Sequence, residues 1–168
     1  RFSPWFLFVA IALLILVMIP GIGREVNGAQ RWLPLGLITL QPSEFAKLAV
    51  LLYAAGYLVR QEEAVRHHWS GLAKLIGILS VVAVLLLFEP DFGATVIIVG
   101  VVVGMTFLAG AKLVYVLAMM AAAAMALAFL VLSAPYRMKR LTAYQDPWAD
   151  PFGSGFQLAQ SLIAFGQG

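Results

Sequence analysis

Long apolar runs separated by a few compact polar breaks constrain this chain more than any other feature. A run of about 18 apolar residues crosses a bilayer as one helix. Five runs at or near that length are readable: Trp5–Ile22, Pro42–Arg60, Gly71–Phe88, Ala94–Ala109 and a last run ending near Leu132. A soluble domain of 168 residues can bury a core, but with 62% hydrophobic and 11% charged residues it lacks the charge to cover its surface. The expected fold class is therefore all-α: a polytopic transmembrane helical bundle of about five spans, with a polar loop after the first span and a polar C-terminal segment.

The opening run is not followed by the small-residue cleavage site of a secretory signal. No methionine starts the chain, and Gly168 ends it inside a polar segment, so a piece of a longer protein is expected. The net charge of +3 points, in so apolar a chain, to anionic lipid rather than nucleic acid. The absence of cysteine excludes disulfide and thiolate chemistry in these residues.

Helix punctuation falls where the runs meet. Ser3-Pro4 suits a helix start, and Pro20-Gly21 the end of the first span. Arg60–Trp69 reads as a charged loop, Glu89-Pro90-Asp91-Phe92-Gly93 as a helix break, and Gly110–Lys112 as a tight turn. Phe156–Phe165 reads as a short amphipathic stretch. The Lys/Arg bias that normally orients a membrane protein is silent. One side carries Arg1, Arg60, Arg66, Lys74 and Lys112; the other carries Arg24, Arg31, Arg137, Lys139 and Arg140. An odd number of spans nevertheless puts the first polar stretch, Glu89–Gly93 and the C-terminal tail on one membrane face.

Charged groups inside such a chain are expensive unless they are used. In Gln41-Pro42-Ser43-Glu44, proline suits the first helical position, and Glu44 then reaches free backbone N–H groups. Lys47 lies one turn on, along the same face. A capped helix with a snorkelling lysine explains the spacing, as does a pocket where Lys47 meets an anionic head group; spacing alone favours the cap. In Gly28-Ala29-Gln30-Arg31-Trp32, the tryptophan is either an interfacial anchor or a platform for a sugar ring, with Arg31 beside it for a phosphate. Glu89 and Asp91 are a helix cap or, less readily, a general base or divalent-metal pair.

The tail carries a near-repeat, Asp146-Pro147-Trp148 and Asp150-Pro151-Phe152, suited to turns. Arg137, Lys139 and Arg140 form a basic cluster, attracted either to the membrane surface or to a pyrophosphate. His67-His68 lacks a third ligand and reads as loop. Gly100-Val101-Val102-Val103-Gly104 has the GxxxG spacing of close helix packing, as do Ala121 to Ala124 in composition. With no P-loop, no dinucleotide glycine motif and no HExxH, a nucleotide-driven pump is not indicated.

Taken together, Gly28-Ala29-Gln30-Arg31-Trp32, Gln41-Pro42-Ser43-Glu44 with Lys47, and Pro90-Asp91-Phe92-Gly93 resemble the SEDS family of bacterial cell-wall proteins (shape, elongation, division, sporulation). Order and spacing match over nearly the whole chain. Asp146 to Leu158 and Gln160 to Gly166 are similar to the family's division branch. The elongation branch typically reads Ile-Gly-Ser-Gly-Gly where this chain has Phe165-Gly166-Gln167-Gly168.

The resemblance implies a peptidoglycan glycosyltransferase at the bacterial inner membrane and division septum. It would polymerise lipid II and release undecaprenyl pyrophosphate. The first polar stretch, Glu89–Gly93 and the tail would then face the periplasm. Residues 1–168 would form one integral-membrane domain, 133–168 beginning a large extracytoplasmic loop. Arg31, Trp32, Gln41, Glu44, Lys47 and Asp91 would line the substrate cavity, and Arg137, Lys139 and Arg140 are further pyrophosphate candidates. The family's catalytic aspartate sits in a His-Thr-Asp-Phe segment that this chain does not contain. Asp91, Asp146 and Asp150 do not match it, so the catalytic residue is unassigned and the chain alone is expected to be inactive. The resemblance fixes no cofactor, and a divalent cation, Mg or Mn, could share the charge on the leaving group. Expected partners are a class B penicillin-binding transpeptidase and small bitopic division proteins. A flippase for polyprenyl-linked precursors and a non-catalytic scaffold for the transpeptidase are the alternatives.

Overall fold

The computed structural model describes residues 2–26, 29–34, 39–133, 148 and 156–166. Helix α1 (Ser3–Val17) leads into three short strands, β1 (Arg24–Val26), β2 (Ala29–Pro34) and β3 (Thr39–Leu40). Then follow α2 (Pro42–Arg60), α3 (Glu62–His67), α4 (Ser70–Phe88), α5 (Phe92–Leu108), α6 (Leu113–Leu132) and α7 (Phe156–Gly166). Two compact units result, Arg1–Met120 and Ala121–Gly168.

Helix ends follow local chemistry. α1 stops at Val17, earlier than the expected Ile22, because Pro20 cannot continue the ladder and Gly21 takes a left-handed φ of 90°. Ser3 opens α1 without a side-chain cap. The stretch expected to be a loop at Arg60–Trp69 contains α3 instead. Glu62 and Glu63 occupy its first turn, Arg66 and His67 its last, and Glu62 pairs with Arg66 at 2.7 Å.

The long apolar runs are helical as expected, with one addition. The polar stretch after α1 folds as an antiparallel meander in the order β1-β2-β3. Arg24 faces Trp32, Val26 faces Ala29, and Leu33 faces Leu40, with an irregularity between Arg24 and Glu25. Asn27-Gly28, between the paired Val26 and Ala29 in sequence, lies outside the described residues.

In the first unit, α2 is central and packs against α1, α4 and α5. Buried residues recur at three and four: Leu7, Ala10 and Leu14 on α1; Ala46, Ala49, Val50, Tyr53 and Ala54 on α2; Leu72, Leu75, Leu79, Val82 and Leu86 on α4. Alanines along α2 let α1 approach closely. The opposite faces are apolar too, with Phe88 and Leu108 among the exposed side chains. Helices apolar on every side suit lipid. α4 and α6 are each long and apolar enough to cross a membrane, while α1 and α5 are apolar but shorter.

The two ends of this unit are tied differently. At one end Tyr57 Oη donates to Gly71 O at 2.7 Å, and Arg66 Nε donates to Ala109 O at 3.3 Å. Tyr115 Oη donates to His67 O at 3.3 Å, and Trp69 meets Tyr115 edge-on at 5.4 Å. Gly71 is obligatory there, since a Cβ would lie 2.4 Å from the backbone of Ala64. The other end carries the sheet and the α4–α5 break. The first polar stretch and Glu89–Gly93 thus share one end of this unit, as expected, while most of the tail lies outside the described residues.

Gly100 and Gly104 are not used as expected. Both are exposed, and an added Cβ would meet nothing within 4 Å, so no described helix packs on them. In the second unit, α7 matches the expected amphipathic stretch: Ala159 is buried, while Leu162 and Phe165 are exposed.

Candidate functional site: a braced polar end and an apolar cleft

The α4–α5 break is built by Asp91. Its Oδ1 accepts the Ala94 N–H at 3.2 Å, which caps α5. Its carbonyl accepts Thr95 Oγ1 at 3.0 Å, and its N–H donates to Leu86 O at 2.8 Å. Asp91 therefore orders the break, one of the two roles anticipated for it.

Arg31 reaches this break from β2. Its Nε donates to Glu89 O at 2.8 Å and its Nη2 donates to Pro90 O. Carbonyls at a helix C-terminus have no intrahelical partner, and a guanidinium fork suits two of them. The expected convergence of the first polar stretch with Glu89–Gly93 thus occurs through Arg31. The fork spends two donors on backbone, whereas the sequence reading had turned it toward phosphate. Trp32 follows on β2 and is half-buried.

Gln41 takes the extended N-cap position of α2 without a side-chain cap bond. Glu44 does not cap the helix as anticipated. Its carboxylate turns one turn forward, and Lys47 Nζ lies 2.8 Å from both carboxylate oxygens. The ion pair outcompetes the backbone amides because i,i+3 spacing on one face brings opposite full charges together. Glu44 is largely exposed and Lys47 only 26% so. The pair stands at the rim of a cleft of about 280 Å³ between α2 and α5, walled by Leu48, Val50, Leu51, Ile97, Ile98, Val101 and Val102. A charged rim over an apolar trough accepts an amphiphile, with its head at Lys47 and its chain along the helices. Arg137, Lys139 and Arg140 lie outside the described residues.

Glu89, the other carboxylate of the break, sits differently from Asp91. Its side chain is 2% exposed, and neither carboxylate oxygen has a partner. Burial pushes its pKa up to about 8, repulsion from Asp91 adds to the rise, and Arg31 opposes it. Burial and Asp91 thus favour the neutral form of Glu89. Its position at the end of an otherwise apolar helix was the available signal. Among the described residues no three His, Cys, Asp or Glu side chains converge on a metal position. With Asp91 Oδ1 engaged in its cap, the break presents no set of three such ligands among the described residues, and no step below uses Mg or Mn.

Long apolar helices, with a polar sheet braced to a helix break at one end and an apolar cleft between α2 and α5, define a polytopic membrane protein. The profile of the FtsW/RodA/SpoVE family, described as cell cycle protein, matches residues 1–168. The chain belongs to this family, the SEDS proteins that its motifs resemble. A "Probable peptidoglycan glycosyltransferase FtsW" of Legionella pneumophila is 59% identical over 156 residues, covering 93% of this chain and 40% of that protein. One of the same description from Hahella chejuensis is 53% identical, covering 99% and 42%. The chain thus spans about two fifths of these relatives. Among solved structures, the rod shape determining protein RodA of Thermus thermophilus is 31% identical with a TM-score of 0.63, covering 77% of this chain and 40% of that one. A chain of a peptidoglycan synthase complex, described as coordinating polymerization and crosslinking, is 34% identical with a TM-score of 0.73, covering 97% and 48%.

Proposed function

We propose that the whole protein polymerises lipid II into glycan strands at the outer face of the bacterial inner membrane during division. The observation that carries this reading is the α2–α5 cleft, with Lys47 and Glu44 at its rim and aliphatic walls below. A polyprenyl pyrophosphate has that polarity pattern. The names of the relatives, with identities above 50%, support the same reading.

In the proposed reaction an acceptor sugar hydroxyl attacks the anomeric carbon of the growing strand. A C–O bond forms there, and the bond to the lipid pyrophosphate breaks. Charge builds on the departing pyrophosphate, and Lys47 stabilises it as its pairing with Glu44 loosens. Trp32 and Gln41 extend the wall toward the sugars, while Arg31 and Asp91 hold that wall in place. Arg137, Lys139 and Arg140 are assigned as further cations for the pyrophosphate. A carboxylate takes the hydroxyl proton. The protein works in the membrane at the septum, with a class B penicillin-binding transpeptidase and small bitopic division proteins as partners. Residues 133–168 begin the extracytoplasmic loop, and the five long runs are its spans.

The test uses the full-length protein purified with its transpeptidase and supplied with labelled lipid II. Lys47→Ala should reduce polymer at the head-group end of the cleft, and Val101→Trp should reduce it by filling the trough. Full activity in both folded variants would refute the cleft. Absence of polymer, with lipid II crossing liposome membranes instead, would establish a transporter.

A further inference from the structure

We propose that Glu89 is a proton-operated latch on the sheet: neutral, it leaves Arg31 braced on the break carbonyls, and ionised, it draws Arg31 off them. The inference goes beyond polymerisation and does not depend on it. It rests first on geometry. The Arg31 fork grips the backbone carbonyl of the same residue whose side chain is buried with both oxygens unpartnered. A carboxylate in that position has lost its water and has no donor. Loss of the proton to solvent leaves a buried anion that must find a cation.

Among the described residues, the groups around it leave one candidate. α1 carries no charged side chain. α2 offers Glu44 and Lys47 at this end, which are paired with each other. Arg24 of β1 is exposed. Asp91, at the start of α5, repels the anion, and Arg31 attracts it. A carboxylate accepts a guanidinium more strongly than a neutral carbonyl does. Ionisation therefore transfers the Arg31 fork from two backbone oxygens to the side chain. β2 carries Arg31 and Trp32 together, so the strand moves with the fork. The shifted titration of Glu89 places this event in the mildly alkaline range.

Two spin labels read the latch in full-length protein cleared of other cysteines. Thr39 of β3 is exposed, and a Cβ at Gly93 meets nothing closer than Asp91 Oδ1 at 4.0 Å. Thr39→Cys and Gly93→Cys thus label the sheet and the break. Raising the pH from mildly acidic to strongly alkaline should shift the label separation by about 3 Å, one hydrogen-bond length. Glu89→Gln, which cannot ionise, should hold the acidic separation throughout. In parallel, infrared spectra at neutral pH should show a protonated-carboxyl stretch that Glu89→Gln removes. An unchanged separation in the otherwise wild-type protein, a shift that persists in Glu89→Gln, or no protonated-carboxyl band assignable to Glu89 would each overturn the latch. The wild-type titration decides the matter even if the variant fails to fold. None of these readouts requires glycan synthesis, so the latch and the polymerase reading fail independently.

Discussion

Arg31→Ala is the sharpest test of how the polar end is assembled. The substitution removes the Nε bond to Glu89 O at 2.8 Å and the Nη2 bond to Pro90 O. Hydrogen bonds to a charged group contribute about 1.5–3 kcal/mol each when solvent is excluded. Arg31 is half-buried, so water partly re-solvates the freed carbonyls and the lower end of that range applies. The expected loss is about 3 kcal/mol for the pair, with the usual non-additivity of neighbouring contacts. Arg31→Lys keeps the charge but offers a point ammonium in place of a planar fork. It should retain roughly half of the stabilisation. Equilibrium unfolding of the full-length protein in detergent, at constant micelle composition, gives the order wild type, then Lys, then Ala. A loss below about 0.5 kcal/mol for Arg31→Ala, typical of an exposed side chain, would refute the brace. Equality of Lys and wild type would refute the fork as its basis.

The raised pKa of Glu89 makes stability fall as pH rises. The folded state keeps its proton to about 8 and the unfolded chain only to 4.5, so stability is full below 4.5 and the loss is complete above 8. At pH 7 the loss is on the order of 3 kcal/mol, and Glu89→Gln should flatten the profile in pH-dependent unfolding. Gly71→Ala should destabilise by about 1–3 kcal/mol because the new methyl meets only backbone; Gly77→Ala, with open space around it, should be neutral or stabilising in the same thermal assay. Asp91→Ala should lose about 1 kcal/mol of cap energy that Asp91→Asn largely keeps. Both Asp91 variants should lower the Glu89 titration midpoint, read by infrared spectroscopy, since each removes a repelling charge.

Much of the bundle was legible before any coordinates. The bounds of α2 match those expected, those of α4 and α5 differ by a residue or two, and Asp91 caps the helix it was expected to cap. These features depend on contacts within one turn, where proline, aspartate and apolar period act alone. The sheet was missed, although Asn27-Gly28 flanked by Val26 and Ala29 carried a hairpin signal. Strands of two to six residues are too short to stand out beside membrane-length apolar runs. The early end of α1 was missed because mean apolarity continues past Pro20 while hydrogen bonding does not.

At the site, residue types alone allowed Glu44 to cap or to pair, and allowed Arg31 to bind phosphate or backbone. Chain order could name these alternatives, since every candidate sits within one turn or one strand. It could not choose between them, because the choice depends on what lies opposite. Glu89 and Arg31 are 58 residues apart, and their meeting exists only once β2 folds over the end of α4. The same packing removes water from the Glu89 carboxyl and lets repulsion from Asp91 outweigh attraction to Arg31. Apolar content and helix punctuation thus settle that this chain is a helical membrane bundle with its polar residues gathered between the long runs. Burial, a property of the packed bundle alone, makes one of its acids neutral and turns one of its arginines into a brace.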